Sequence, residues 1–509
     1  MRLVTSFEAF TDRLSQSFSL EGNLFKTCLF LLLTVFFLLD PVVDRDLFAR
    51  VAVGRLVEIF GTVPFQDPFA FTPKKEIWVD HEWLAGVVFY YLASFGGDLL
   101  LFLFKLFFCF LTLLMAIAIR KLEYPDSKGA PFWTVFCSFT AAFAWGSTVR
   151  AQVFTYFFFM FLLLAVSLAR NKFKEWLILA LPLVFLCWAN AHGGFVVGLG
   201  IISFYLLMDS YLQQRISKLL LLVVLACYAA CSVTPYGPAV YFSYITDALV
   251  MKRPTITEWQ PLQLSDPNLF IYTIMFVISL TGLINLKNRK NLFPLILLTG
   301  FFIVGVRHQR FMPFFALSAL IYGLSGWNRF WNRIKDTHVR SCLLITRSAS
   351  FVLIISALAA ACFVPYRLFQ FRLNYKGYPL SALRWLRENN LPGNLLVDFN
   401  NGSYALWRLY PKIKISLDGR YEELYPESTV NLVSSALNPR SENFQVALKE
   451  LNPDYILLKK GWGAYGSQHS YISWYRCYDD GEFAVLIRNN CEKTVKSYPA
   501  EDQIWKPLF

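Results

Sequence analysis

Charged residues are scarce in this chain. Asp, Glu, Lys and Arg make up 16% of its 509 residues, against about 25% in ordinary soluble domains. Hydrophobic residues reach 56%. That balance excludes a disordered chain and argues against one large cytosolic enzyme. Familiar motifs are missing as well. There is no phosphate-binding glycine loop, no Rossmann fingerprint, no Gly-x-Ser-x-Gly elbow and no Cys-x-x-Cys pair, so nucleotide, dinucleotide, serine-hydrolase and dithiol chemistry find no support. Eight of the ten cysteines fall in or beside apolar runs, where they behave as small apolar residues rather than as a disulfide scaffold. No internal repeat, low-complexity tract or long flexible linker is present.

What the chain has instead is phenylalanine, 50 residues of it, gathered into apolar blocks. Such blocks read as membrane spans. Eleven are expected, at 24–39, 98–119, 131–149, 152–169, 175–190, 193–212, 217–234, 269–286, 292–306, 311–327 and 348–366. The net charge of +13 would suggest nucleic acid in a soluble protein. Here the basic residues mark alternate loops, and no nucleic acid partner is expected. With the N-terminus cytoplasmic, Arg120, Lys121, Arg170, Lys172, Arg215, Lys218, Arg289, Lys290, Arg329 and Arg333 all fall inside, as the positive-inside rule asks. Residues 367–509 then lie outside. The scheme requires 83–95, which is apolar but ends at Gly96-Gly97, to lie in the outer interface rather than to span. The first span runs into Asp40-Pro41 with no small-residue cleavage site, so it is expected to be a retained anchor.

The expected fold class is therefore a polytopic α-helical membrane protein of about eleven spans with a C-terminal extracytoplasmic α/β domain. Residues 1–366 form the transmembrane part, with a large first outer loop at 40–97, and residues 367–509 form the outer domain. In that domain 380–389 has helical spacing. Strands are expected at 394–399, 412–417 and 454–459. The runs 471–478 and 482–488 flank Asp479-Asp480-Gly481, a hairpin signal. The hairpin would place Cys477 opposite about Ala484. Cys491 would then be too far away to bridge unless the chain folds back.

Polar chemistry collects at the outer ends of the spans. The first loop carries Asp40, Asp44, Asp46, Asp67, Asp80, His81 and Glu82. The outer turns carry Arg150 and Gln152, then Asn190 and His192, then Glu258 and Trp259, then Arg307, His308 and Arg310. Arginine binds phosphate through two parallel hydrogen bonds, and a carboxylate can serve as general base. The set suits a reaction on a phosphorylated lipid. The plainer account is that polar residues at span ends face water. Arg307 and Arg310, three apart, would share one side of a helical turn. Lys105, about two turns into the second span, either snorkels outward or meets a lipid phosphate. No cofactor is expected and no metal is assigned. His81 and Glu82 are adjacent and would point apart on a helix, so a divalent metal held with Asp46 or His192 is the lesser alternative.

The segments Asp46-Leu-Phe-Ala-Arg-Val-Ala-Val-Gly-Arg, Gly61-Thr-Val-Pro, Trp78-Val-Asp-His-Glu-Trp-Leu and Phe95-Gly-Gly, followed by a span ending Arg120-Lys121, resemble the opening of GT-C superfamily membrane glycosyltransferases. The likeness is to the protein mannosyltransferase-like and aminoarabinose transferase-like enzymes, and more so to a set of uncharacterised bacterial members sharing Asp-His-Glu-Trp-Leu, Asn-x-His-Gly-Gly and Asp-Gly-Arg. It covers about the first 120 residues. Two departures stand out. The usual acidic pair is Asp46-Leu47 here, and the usual Lys-Pro-Pro-Leu entry is His81-Glu82-Trp83-Leu84. The resemblance implies a glycosyltransferase of a bacterial inner membrane that takes a sugar from a polyprenyl-phosphate carrier on the outer face. Asp46 would be the base, with Glu82, His81 and Asp44 as the other catalytic candidates. Arg150, His192, Glu258, Arg307, His308 and Arg310 would bind the lipid phosphate and substrate.

Val397-Asp-Phe-Asn-Asn-Gly-Ser-Tyr, followed by Ile415-Ser-Leu-Asp-Gly-Arg-Tyr, is loosely similar to the Trp-Trp-Asp-Tyr-Gly stretch of oligosaccharyltransferase catalytic subunits. It also reads as a strand, turn and helix followed by a second strand. A different class stays open: a transporter or assembly subunit that keeps this architecture without catalysis. The near absence of charge at mid-membrane favours chemistry at one face over passage.

Overall fold

In the computed structural model the described residues are 22–125, 130–171, 175–251, 256–284, 289–337, 339–389, 392–461, 463–466, 471 and 474–488. Helix α1 (Asn23–Leu39) enters the bundle, and α2 (Leu47–Phe60) lies in the first outer loop. The next helix, α3 (Trp83–Glu123), runs for 41 residues but is broken at Gly97, where φ is 55° and ψ is −142°. A side chain would strain that conformation, so glycine sets the bend. The bend separates 83–95 from the apolar run that starts at Asp98, as the Gly96-Gly97 pair suggested.

The bundle continues with α4 (Ala130–Trp145), α5 (Gln152–Arg170), α6 (Leu181–Ala191), α7 (Phe195–Gln213), α8 (Lys218–Cys231), α9 (Pro238–Val250), α10 (Pro267–Leu283), α11 (Leu292–Arg307), α12 (Met312–Tyr322), α13 (Leu324–Thr337) and α14 (Val339–Phe369). Proline opens α9 and α10, where its missing N–H costs nothing. Ser217 caps α8 and Asp266 caps α10 through their side chains. Five helices are long and apolar enough to cross a membrane: Trp83–Glu123, Gln152–Arg170, Phe195–Gln213, Arg289–Arg307 and Ser348–Phe369. Five shorter apolar helices accompany them. The expected span at 311–327 is divided at Gly323. Its first part, α12, is 11 residues long and buried on every side. Its second part belongs to α13, whose apolar and basic faces are opposed.

The C-terminal domain, the outer domain of the expected topology, follows α15 (Leu380–Asn389), β1 (Gly393–Leu396), α16 (Phe399–Leu409), β2 (Ile413–Ile415), α17 (Tyr421–Leu424), α18 (Glu427–Ala436), α19 (Phe444–Leu451), β3 (Tyr455–Lys459), β4 (Tyr475–Asp479) and β5 (Phe483–Ile487). The sheet order is β2-β1-β3-β5-β4. Strand β1 is parallel to β2 and β3, and β5 is antiparallel to β3 and β4. The hairpin is two residues off the expected register. Asp479 faces Ala484, and Cys477 falls in a bulge between Arg476 and Tyr478. Cys477 is disulfide-bonded, and Cys491, the partner weighed in the sequence, lies outside the described residues.

The first outer loop is built into this domain. The Ile415 N–H donates to the Phe69 carbonyl at 2.9 Å, and the Phe71 N–H donates to the Ile415 carbonyl at 3.0 Å. Arg420 is buried between Asp67 and Asp418, at 2.6 Å from each, and lies over the rings of Trp78 and Phe69. The Asp-Gly-Arg stretch is thus a clasp between loop and domain rather than a bare turn. One hydrophobic core unites Val43, Phe48, Trp78 and Phe89 with Leu395, Tyr404, Ile456 and Leu486.

Candidate active site

Helix α2 is entered through a turn in which the Asp44 carboxylate accepts from the Asp46 N–H at 3.0 Å. One turn later Arg50 points inward, and its side chain is 9% exposed. Its guanidinium meets Asp80 at 2.7 Å, Glu82 at 2.8 Å and Glu423 at 2.6 Å. Burial raises the Asp80 carboxyl to about 6 against the pull of Arg50. Burial also opposes the charge on Glu423, but Arg50 and His81 outweigh it and hold that carboxyl well below the usual range.

Arg150, in the turn between α4 and α5, is a second hub. Its Nε lies 2.6 Å from Asp44, its Nη1 2.8 Å from Glu258, and its Nη2 3.7 Å from Asp46. Arg310 reaches Glu258 at 3.7 Å and stacks on Trp259 with 4.2 Å to the ring centroid. Both arginines therefore face carboxylates.

Asp46 has the least compensated carboxyl of the group. It is 33% exposed, toward the cavity it lines. Its Oδ1 is buried with no hydrogen-bond partner among the described residues. Burial and the neighbouring Asp44 push its carboxyl well above the usual range. Gly419 closes over it, and a β-carbon at 419 would lie 1.8 Å from Asp46 Oδ1. Glycine alone leaves Asp46 where it stands.

His81 and Glu82 do not point apart. They stand in the turn that precedes α3, so the helical alternation does not apply. Glu82 Oε1 lies 3.6 Å from His81 Nε2 and 3.5 Å from His192 Nε2. His81 Nδ1 sits 3.0 Å from Glu423 and 2.9 Å from the Tyr244 hydroxyl. Burial disfavours charge on His81, but Glu423 outweighs burial and raises its pKa. His192 behaves oppositely. Its Nδ1 accepts the Gly194 N–H at 2.9 Å, so the ring proton belongs on Nε2, facing Glu82. Burial, with His81 and the arginines nearby, depresses its pKa well below the ordinary value.

His308 Nδ1 lies 2.8 Å from the Trp259 carbonyl and anchors that loop. Arg307 is exposed and lines neither cavity described below. Helix α11 ends at Arg307, and the backbone is extended at His308. Arg307 and Arg310 therefore do not share a helical face.

Two cavities adjoin at this place. The polar one, about 310 Å³, is lined by Asp44, Asp46, Arg50, Glu82, Asn400, Gly419, Tyr421 and Glu423 among others. The apolar one, about 300 Å³, is lined by Trp145, Tyr156, Val197, Ile245, Leu249 and Phe314 among others. His81, Thr148, Arg150, Gln152, Glu258, Trp259 and Arg310 border both. Asn400 and Tyr421 bring the two outer-domain stretches singled out in the sequence to the polar wall. Arg50, Glu423 and Tyr244 were not anticipated. A helical arginine and a glutamate on an outer helix carry no local signal of such a role. Among the described residues no three His, Cys, Asp or Glu side chains converge as metal ligands. The Asp44, Asp46 and Glu258 carboxylates already surround a guanidinium.

This architecture is shared with solved structures. The oligosaccharyltransferase of Archaeoglobus fulgidus, tethered to an acceptor peptide containing the NVT sequon, matches with a TM-score of 0.55 and 12% identity over 91% of this chain and 74% of that one. The oligosaccharyltransferase AglB of the same organism, in complex with an inhibitory peptide and a dolichol-phosphate, matches with a TM-score of 0.55 and 13% identity over 85% and 68%. The complex of the Archaeoglobus enzyme with Zn and sulfate gives 0.52 and 13% over 91% and 73%. The fold is shared with these oligosaccharyltransferase structures. At such identities the likeness concerns the fold. No family model and no curated protein sequence matches the chain. This arrangement places the polar cavity between the helical bundle and the C-terminal domain, with the 40–97 segment supplying Asp44, Asp46, Arg50, His81 and Glu82.

Proposed function

We propose that this GT-C protein is a glycosyltransferase that moves a sugar from a polyprenyl-phosphate carrier to an acceptor on the outer face of a bacterial inner membrane. The observation that carries the reading is the shared border. An apolar cavity inside a helical bundle meets a polar, carboxylate-rich cavity across Arg150, Glu258 and Arg310. A substrate that is hydrocarbon at one end and sugar phosphate at the other needs that pairing.

In this reading the acceptor hydroxyl enters the polar cavity and gives its proton to the Asp46 carboxylate. The acceptor oxygen forms the new bond to the anomeric carbon as the bond from that carbon to the phosphate oxygen breaks. The lipid phosphate leaves with the electron pair. Arg310, stacked on Trp259 and only loosely held by Glu258, takes the developing charge. Arg150 keeps Asp44 and Glu258 in place. The raised pKa of Asp46 suits a group that must accept a proton near neutral pH.

The reading takes the N-terminus as inside and residues 367–509 as outside, from the basic loops, and the shared polar face agrees with it. Arg150, His192, Glu258 and Arg310, at the ends of separate helices, meet the first outer loop on one face. Asn374, just beyond α14, bonds Asp40 on the same face at 3.0 Å. Arg310 precedes α12 and Asn374 follows α14, so α12 and α13 carry the chain away from this face and α14 returns it. A helix enclosed by protein on every side does not have to match the hydrocarbon thickness. This reading keeps the eleven crossings expected from the sequence.

The test is transfer by the purified protein from a radiolabelled polyprenyl-phosphate sugar to endogenous envelope acceptors. Product formation that requires Asp46 supports the reading. Absence of transfer across a panel of lipid-linked sugars, by protein that binds prenyl phosphates, would overturn it.

A further inference from the structure

Lys105 stands on α3 about two turns beyond the Gly97 bend and is only 1% exposed. It lines the apolar cavity beside Trp145, Tyr156 and Phe314. Its ammonium donates to the Gly146 carbonyl and lies 4.6 Å from the centroid of the Phe37 ring. Among the described residues no carboxylate lies within ion-pair distance of it. Three other cations at the two cavities differ. Arg50, Arg150 and Arg310 each face at least one carboxylate. An ammonium carries three donors, and one carbonyl and one ring leave it short of an anion. A charge kept this deep without a counter-ion marks a functional position rather than a stabilising one.

We infer that Lys105 binds the phosphate of the lipid carrier from the membrane side, so that the apolar cavity selects phosphate esters carried on a hydrocarbon chain. The inference rests on the proposed lipid-linked reaction and adds to it a headgroup contact. The cavity walls supply the reason for a lipid-borne anion: Trp145, Tyr156 and Phe314 offer apolar surface to a chain, and Lys105 offers the charge. Snorkelling is excluded by the burial of the amine. Lys105 aims into the protein at Gly146.

The experiment compares farnesyl phosphate, farnesol and inorganic phosphate as ligands of the full-length protein in detergent. Wild type should bind farnesyl phosphate more tightly than farnesol. Lys105→Met should lose about tenfold or more of that preference, the loss of one charge-assisted hydrogen bond, while farnesol affinity is retained. If Lys105→Met does not fold, Lys105→Gln, which can still donate to Gly146, is measured instead with the same expectation. A wild type that does not distinguish farnesyl phosphate from farnesol overturns the lipid-phosphate reading as a whole. A wild-type preference that survives in the variants overturns the role of Lys105 and leaves the transferase reading standing. Inorganic phosphate that binds wild type as well as farnesyl phosphate does shows a site for the free anion and also overturns the inference.

Discussion

Arg50 and Glu423 form a two-pronged ion pair across 373 residues of sequence, with Nη2 2.6 Å from Oε1 and Nη1 3.0 Å from Oε2. The pair joins the first outer loop to the outer domain behind the polar cavity. Arg50 also compensates Asp80 and Glu82. Arg50→Met would leave three buried carboxylates without their cation and should cost about 3–5 kcal/mol. Glu423→Gln removes only one charge and should cost less. The depressed Glu423 pKa gives the sign of the acid response. Its contribution is present above the unfolded carboxylate value of about 4.3 and is lost as pH falls below it. Thermal unfolding in detergent from pH 7 to pH 3 checks both points. An Arg50→Met variant as stable as Glu423→Gln would show that Arg50 is not the hub.

Asp46 is the expected base. Asp46→Asn should abolish transfer while the protein inserts and folds. A base works as the carboxylate, so activity should rise with pH through the raised Asp46 value. The acid limb should therefore have its midpoint well above the ordinary value of about 4. Stability runs the other way. A carboxyl whose pKa is raised by folding favours the folded state when protonated, and that contribution is lost as pH rises through the raised value. Asp46→Asn should thus be inactive yet no less stable than wild type at pH 8. Full activity in that variant would move the role to Glu82 or Asp44.

Gly419 makes a sharper test of the same carboxyl. A β-carbon there collides with Asp46 Oδ1 but meets no other atom closer than the Asp46 carboxyl carbon at 2.8 Å. Asp46 can swing into the cavity, so Gly419→Ala should fold. Its base would then stand about 1 Å or more out of place, a displacement that can cost about 100-fold in rate. Comparing kcat with the unfolding temperature separates this effect from instability. An alanine variant that keeps wild-type turnover would show that the position of Asp46 is not critical.

Much of this architecture was readable in advance because its signals are local. Gly96-Gly97 marked the break in α3, and Asp398 caps α16 through its own side chain. The buried strands stood out as short apolar runs, and α15 matched its expected bounds. The polar set was readable because charge is rare in this chain. The pairing within the set was not, since Arg50 meets Glu423 only through the fold. His81 and Glu82 were misjudged because a helix was assumed where the chain makes a turn. Arg307 and Arg310 were joined by a helical spacing that ends at His308. The register of Cys477 failed at the turn, where Asp479 already faces Ala484, and the bulge beyond it has no marker in composition either.

Arg310 and Arg307 give the last prediction. Arg310 borders both cavities, stacks on Trp259 and is 3.7 Å from Glu258. Arg307 is exposed at the end of α11. A lysine preserves a point charge but not the planar fork or the stacking on an indole. Arg310→Lys should therefore weaken the binding of a prenyl phosphate clearly, by about tenfold as for one lost charged hydrogen bond. Arg307→Lys should change it much less. Binding of prenyl phosphate to the two variants, with unfolding temperatures measured beside it, decides the matter. Equal losses in both would mean that the phosphate reaches the exposed end of α11. A loss confined to Arg307→Lys would reverse the assignment and place the leaving group outside the shared border.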